Sequence, residues 1–292
     1  MKRIGNLYEK VCSIENLQLA DEKARKGKLR TYGVIEHDKK REVNLLKLRE
    51  TLLNGTFHTS KYDVFTIYEP KEREIYRLPY FPDRILHHAI MNVLEPIWVS
   101  TFTADTYSCI KNRGIHAAAK KVKQALREDP EGTTFCLKLD IRKFYPSINH
   151  DVLKSILRRK LKDKRLLRLL DEIIDSADGV PIGNYLSQYF ANLYLTYFDH
   201  WIKEQKRVKH YFRYADDIVI LASDKSYLHS LMGEIRAYLG DLKLEVKGNW
   251  QVFPVAARGI DFVGYVFFHT HTRMRKGIKK TFCRRLAKLN KR

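Results

Sequence analysis

The stretch His210-Tyr211-Phe212-Arg213-Tyr214-Ala215-Asp216-Asp217-Ile218-Val219-Ile220-Leu221 decides the fold. Two β-rich runs flank a short interruption, the pattern of a hairpin, and its tip carries the adjacent carboxylates Asp216 and Asp217. Upstream, Phe135-Cys136-Leu137-Lys138-Leu139-Asp140 alternates as a strand and ends on a third carboxylate, Asp140. Side by side in one sheet, the three would cluster at one edge. Such a cluster is electrostatically costly alone, and it offers oxygen ligands for two Mg2+ ions, with Mn2+ able to substitute. Ions roughly 3.5–4 Å apart clamp the attacking and leaving oxygens of a phosphoryl transfer. Singly, each feature is ordinary, because Asp is a common turn residue and often ends a strand. The conjunction carries the reading.

Charge narrows it further. Of 292 residues 44% are hydrophobic, enough for a sizeable core, and Lys and Arg number 55 against 34 Asp and Glu. The net charge of +21 and a pI near 9.7 call for a polyanion, and nucleic acid fits best. Phosphoryl-transfer carboxylates on so basic a chain point to a nucleic-acid polymerase. A membrane is not expected, since no run of about 18 apolar residues and no signal-peptide core occurs. Cys12, Cys109, Cys136 and Cys283 lie far apart with no CxxC, and read as reduced thiols of a cytoplasmic protein.

Periodicity supplies the rest of an α+β reading. Residues 1–60 are helical and charged, and Tyr62–Tyr68 with Glu74–Pro79 make a hairpin. Asp83 caps a helix through Leu86, Ile90, Val93 and Ile97, and another follows Gly114. A basic helical stretch, Asp151 to Asp175, breaks near Lys162-Asp163-Lys164 and ends before Gly179 and Pro181. One long helix is expected from about Asn184 to Lys206, then a helix at Leu228–Leu239 and strands at Leu242–Val246 and Phe262–Phe268. This order fits an antiparallel sheet backed by helices.

Several motifs resemble those of reverse transcriptases, in the usual order. Lys138-Leu139-Asp140-Ile141-Arg142-Lys143-Phe144-Tyr145, Gly183 with Ser187, and Tyr214-Ala215-Asp216-Asp217 look like palm motifs. Asp83-Arg84 and Tyr107 to Ala118 resemble finger motifs, and Phe262-Val263-Gly264-Tyr265 resembles the primer grip. The resemblance implies a right-hand polymerase that extends a DNA primer on template RNA with dNTPs. It implies fingers over 1–132, palm over 133–150 and 179–268, and a helical insert over 151–178. A short or incomplete basic thumb would begin at 269–292.

Position by position, Asp140, Asp216 and Asp217 would be catalytic metal ligands, joined by the Ile141 carbonyl. Tyr145 matches the aromatic gate against a ribose 2′-hydroxyl, with a core aromatic as the alternative. Lys71 and Arg73 either grip the triphosphate or form a solvated turn. Lys247, with Lys243 nearby, is placed where it could protonate pyrophosphate. Arg113, Tyr214, Gly264 and Tyr265 would touch nucleic acid. The last twenty residues carry ten Lys or Arg and no acid, and Arg284, Arg285 and Lys288 would grip the duplex backbone above an apolar stripe of Ile278, Phe282, Leu286 and Leu289.

One departure from the common pattern sharpens the resemblance. Ile182-Gly183-Asn184-Tyr185-Leu186-Ser187-Gln188 has Ile where most reverse transcriptases have Gln, and Gln188 where they have Pro. This is similar to the enzymes of diversity-generating retroelements. That family implies a bacterial or phage-encoded enzyme copying a template-repeat RNA with errors at template adenines. It also implies a small basic accessory protein as partner. Replacing Gln by Ile would remove a polar contact worth about 1–2 kcal/mol, roughly tenfold in discrimination. The alternatives are a group II intron-like or retron-like reverse transcriptase, a non-catalytic RNA-binding scaffold, and a palm-fold nucleotide cyclase.

Overall fold

The computed structural model describes residues 3–68 and 72–290. In chain order the elements are α1 (Tyr8–Cys12), α2 (Ile14–Arg25), α3 (Tyr32–Asp38), α4 (Arg41–Asn54), β1 (Asp63–Tyr68), β2 (Glu72–Arg77) and α5 (Ile85–Val99). Next come α6 (Ile115–Glu128), β3 (Phe135–Asp140), α7 (Phe144–Ser147), α8 (His150–Lys160), α9 (Lys164–Asp175), α10 (Tyr185–Tyr194) and α11 (Thr196–His200). The remainder are β4 (His210–Tyr214), β5 (Asp217–Ala222), α12 (Lys225–Asp241), β6 (Gln251–Pro254), α13 (Val255–Arg258), β7 (Ile260–Phe262), β8 (Tyr265–Phe267), β9 (Thr272–Met274) and α14 (Lys276–Leu289). No helix among the described residues is long and apolar enough to cross a membrane.

The chain forms two compact units, residues 1–102 with 145–194, and residues 103–144 with 195–292. In the first, α1, α2 and α10 pack against α5, and a largely exposed β1–β2 hairpin pairs from Asp63↔Arg77 to Tyr68↔Glu72. Asp163 caps α9 by accepting from the Leu166 amide at 3.2 Å, which explains the expected break. Its other oxygen accepts from the Leu7 and Tyr8 amides at 2.8 and 2.9 Å, so one side chain caps the N-termini of both α9 and α1. Asp83 is not a helix cap. It is fully buried before α5 and accepts from the Ser60 amide at 2.9 Å.

The second unit holds an antiparallel sheet in the order β4-β5-β3-β6. β5 reads as a near-continuous apolar run, Ile218-Val219-Ile220-Leu221, because both its faces are covered, while β3 carries Lys138 and Asp140 in an otherwise apolar strand. Cys136, Val219, Leu221 and Phe212 share one face with Ala118, Val122 and Leu126 of α6 and with Phe262 and Phe267. On the other face α12 lies against β3, β5 and β6 and buries Leu228, Leu231, Met232, Ile235 and Leu239.

Three expectations fail here for local reasons. The helix expected from Asn184 to Lys206 breaks at Leu195, whose φ of −97° and ψ of 1° interrupt it between α10 and α11. Leu242–Val246 is not a strand. α12 runs on to Asp241, Lys243 takes a left-handed φ of 59°, and only Val246 bridges, to Ile141. Gln251–Pro254 fills that sheet position instead, pairing with β3. Phe262–Phe268 is not one strand but two, turned by Val263 and Gly264, both at positive φ (45° and 90°) as a type I′ turn requires.

Candidate active site

Strand register brings the carboxylates together. Asp140 at the end of β3 lies directly opposite Asp217 at the start of β5, and Tyr214↔Asp217 closes a two-residue turn over Ala215 and Asp216. By alternation Lys138, Asp140 and Asp217 share one face. The Ile141 amide donates to the Asp216 carbonyl at 3.3 Å, and the Lys247 amide donates to the Asp140 carbonyl at 2.9 Å. The turn is thereby stitched to the segment after β3.

Asp140 and Asp216 form a close pair. Burial, and then the negative charge of Asp140, push the Asp216 carboxyl above its ordinary range. Two lysines answer the remaining charge: Lys247 Nζ meets Asp140 Oδ1, and Lys138 Nζ meets Asp217 Oδ1. Burial draws the Lys138 ammonium down to about 8, and it sits 4.9 Å from the centre of the Phe262 ring. Among the described residues no three His, Cys, Asp or Glu side chains form a ready-made metal cage. The expected trio is therefore an Asp140–Asp216 pair, with Lys247 on Asp140, and Asp217 held apart by Lys138. Lys138, two residues before Asp140 on the same face, reaches diagonally across to Asp217.

This donor set still suits a divalent cation. A carboxylate pair whose ionised state is disfavoured by mutual repulsion gains most from a dication, which replaces the proton or ammonium that otherwise balances it.

Beneath the turn lies a buried network that the sequence reading missed. Arg213 and Asp199 are both fully buried. Arg213 Nε and Nη2 donate to Asp199 at 2.8 and 2.6 Å, while Tyr211 Oη and Thr106 Oγ1 donate to the same carboxylate at 2.5 and 3.0 Å. Arg213 Nη1 reaches on to the Ala215 carbonyl at 3.0 Å. Ala215 has φ of 55°, a left-handed position where alanine is strained. An arginine among the aromatic residues of β4 was the available signal.

The other expected residues divide. Ile182 is half-buried, and its carbonyl accepts from the Tyr76 amide of β2 at 2.8 Å. Gly183 has φ of 122°, and a Cβ there would stand 2.6 Å from the Tyr76 carbonyl oxygen. The close approach that demands glycine is thus made by the hairpin backbone. Gln188 is exposed on α10, and Arg73 is exposed on β2. Lys71 lies outside the described residues. Tyr145 is half-buried, so it is no core aromatic; Phe144 beside it is. Tyr214 and Tyr265 are half-buried, and a Cβ on Gly264 would meet Ile278 Cδ1 at 2.9 Å.

Arg113 spends its guanidinium on the Thr103 carbonyl at 2.7 Å, a loop-bracing role. On α14, Arg284, Arg285 and Lys288 are exposed, but the Ile278, Phe282, Leu286 and Leu289 stripe is exposed as well, so it packs no core.

A right-hand polymerase palm is the class this carboxylate-bearing antiparallel sheet defines. Residues 69–267 match the family model "Reverse transcriptase (RNA-dependent DNA polymerase)", and the chain belongs to that family of RNA-directed DNA polymerases. Protein YkfC of Escherichia coli (strain K12) is 26% identical over 279 residues, 79% of this chain and 73% of that protein. The Group II intron-encoded protein LtrA of Lactococcus lactis subsp. cremoris is 23% identical over 191 residues, 60% of this chain and 31% of that one. Apo telomerase from Candida tropicalis shares the fold, with a TM-score of 0.53 at 12% identity over 74% of this chain and 49% of that chain. The chain thus spans less than a third of LtrA and about half of the telomerase.

Proposed function

We propose that this protein copies template RNA into cDNA from dNTPs, with Asp140, Asp216, Asp217 and the Ile141 carbonyl holding two divalent ions, Mg2+ or Mn2+. The observation that carries this reading is the Asp140–Asp216 pair at the sheet edge, where burial and then the charge of Asp140 raise the Asp216 pKa. Bound ions would acidify the primer 3′-hydroxyl and neutralise triphosphate charge. The chain's own residues frame that chemistry: Arg213 fixes the turn, and Lys138 and Lys247 balance the carboxylates. Tyr145 gates the sugar, and Arg73 with Lys71 steadies the triphosphate. The finger, palm, insert and thumb boundaries given above belong to the same proposal.

Incubation with primed RNA, dNTPs and Mg2+ tests the activity. Extension lost in Asp216→Asn supports it. No extension by the wild-type chain, with and without an accessory protein, sinks it in favour of the RNA-binding scaffold.

Within the family we assign the chain to the error-prone retroelement type, on Ile182 and Gln188. In this assignment it works with a template-repeat RNA and a small basic accessory protein. The similarity to LtrA favours a second reading, an intron-type enzyme of ordinary fidelity. Sequencing cDNA made on an RNA of known sequence separates the two. Errors concentrated opposite template adenine, reduced in Ile182→Gln, support the first reading; a flat, low error spectrum supports the second.

A further inference from the structure

One pocket in the first unit gathers positive charge with no answering acid. It has a volume of about 240 Å3 and is lined by Lys28, Arg84, His87, Tyr185, Phe65 and the Gly183 backbone, among others. Lys28 sits in a tight turn after α2, where its carbonyl accepts from the Thr31 amide at 2.9 Å and from Thr31 Oγ1 at 2.8 Å. Arg84 directly precedes α5, and His87 lies in the first turn of that helix. Tyr185 is pinned by stacking on His88, with ring centres 4.4 Å apart.

The electrostatics of the two cations are unfavourable. Lys28 and Arg84 are both half-buried, and the Lys28 pKa is lowered first by burial and then by Arg84 itself. Burial likewise lowers the Arg84 pKa, and no carboxylate among the described residues acts on either. Arg77, the third cation of the lining, is already paired with Asp63. A second observation is independent of charge. His87 is 2% exposed, and its Nε2 has no hydrogen-bond partner among the described residues. Two half-buried cations with no acidic partner, on a pocket that the incompletely hydrogen-bonded His87 also lines, leave favourable energy unclaimed until something anionic enters.

We propose that this pocket is a phosphate-binding subsite, in which Lys28 and Arg84 neutralise one phosphate beside the Gly183 turn. Its volume suits a phosphate with its sugar and falls short of a drug-sized cavity of about 300 Å3, so it does not hold a whole nucleoside triphosphate. Lys28 precedes the 69–267 family match, so the N-terminal helices contribute to the site a cation that the family region does not contain. That the phosphate comes from a template strand or an incoming nucleotide rests on the polymerase reading; the anion site does not.

The test uses the full chain, Lys28→Gln, and Lys28→Arg as the conservative variant. Binding of a labelled single-stranded RNA, and of a primer–template with a 5′ template overhang, is measured against salt. If the phosphate belongs to the template, Lys28→Gln weakens binding roughly tenfold and flattens the log K against log salt slope by about 0.7, while Lys28→Arg restores both. If it belongs to the nucleotide, RNA binding is unchanged and the KM for dNTP rises by a similar factor. Unchanged slope, RNA affinity and KM together overturn the subsite. A wild-type chain that fails to extend primers, yet whose RNA-binding slope responds to Lys28→Gln, overturns the polymerase reading and leaves the subsite standing.

Discussion

The buried Arg213–Asp199 pair makes a prediction that separates fold from catalysis. Both side chains are fully excluded from solvent, and Asp199 answers the guanidinium with both oxygens, at 2.8 and 2.6 Å. Asp199→Asn removes that compensation and leaves a cation stranded in the core, at a cost of about 3–5 kcal/mol. Against a typical stability of about 5–15 kcal/mol this is a large share, and the melting temperature should fall by roughly 10 °C. A replacement that retires the whole network should behave differently. Arg213→Met with Asp199→Leu removes both charges, and Tyr211→Phe with Thr106→Val removes the hydroxyls that would lose their acceptor. Such apolar exchanges are often close to neutral for stability. The combined variant should therefore melt near wild type, yet it lacks the Arg213 Nη1 bond to the Ala215 carbonyl. A charged hydrogen bond is worth about 1.5–3 kcal/mol, so a turn freed of it should slow single-turnover extension by roughly 10- to 100-fold. Differential scanning fluorimetry and rapid-quench extension read the two quantities separately. A combined variant that extends at the wild-type rate would refute the claim that Arg213 holds the turn.

Three further outcomes follow from the same geometry. Asp216→Asn should raise the melting temperature at pH 7 while abolishing extension. The folded Asp216 pKa lies above its unfolded value, so the ionised side chain destabilises the fold as pH rises through that window, and the amide relieves it; a lower melting temperature would contradict this. His87 is pushed down to about 3 by burial, so the native state binds fewer protons than the unfolded one below 6.5. Stability should hold above that pH and fall beneath it, by about 2 kcal/mol at pH 5 from His87, and denaturant melts of His87→Leu should show a correspondingly shallower acid loss. Gly183→Ala forces a Cβ to 2.6 Å from the Tyr76 carbonyl at a φ of 122°, and should cost roughly 2–3 kcal/mol in urea melts while loosening the β1–β2 hairpin.

How far the sequence could be read depended on which interactions are local. The β4–β5 hairpin, its two-residue tip and the Asp140 strand were legible because alternation and turn chemistry act within a few residues. The Asp163 break was legible for the same reason, since an N-cap bonds only two or three positions ahead. Gln251–Pro254 was not, because its strand identity comes from β3, over a hundred residues earlier, and four partly exposed residues carry little period of their own. The apparent strand at Leu242–Val246 failed from the opposite cause. Its apolar residues serve the end of α12 and a single bridge, and Lys243 at positive φ prevents an extended run.

The site shows the same limit in electrostatic form. Sequence identified all three carboxylates, but not which charges meet them, since pairing depends on side-chain reach across strands. Lys138 was visible as a polar residue in an apolar strand, and only the register Lys138↔Val219 beside Asp140↔Asp217 makes it a diagonal neighbour of Asp217. Arg113 illustrates the converse. It was expected on nucleic acid, yet its guanidinium braces the Thr103 carbonyl, since an arginine beside a tight loop finds acceptors closer than any ligand. Gly183 belongs with it: a glycine that stands out for its motif is the one that admits the Tyr76 peptide carbonyl. In each case the residue type was right for close polar contact, and the partner was chosen by tertiary neighbours. Lys28 and Arg84 reverse this pattern, being partly buried cations that no neighbouring acid claims, and on that ground the search for an external phosphate begins with them rather than with the exposed lysines of α14.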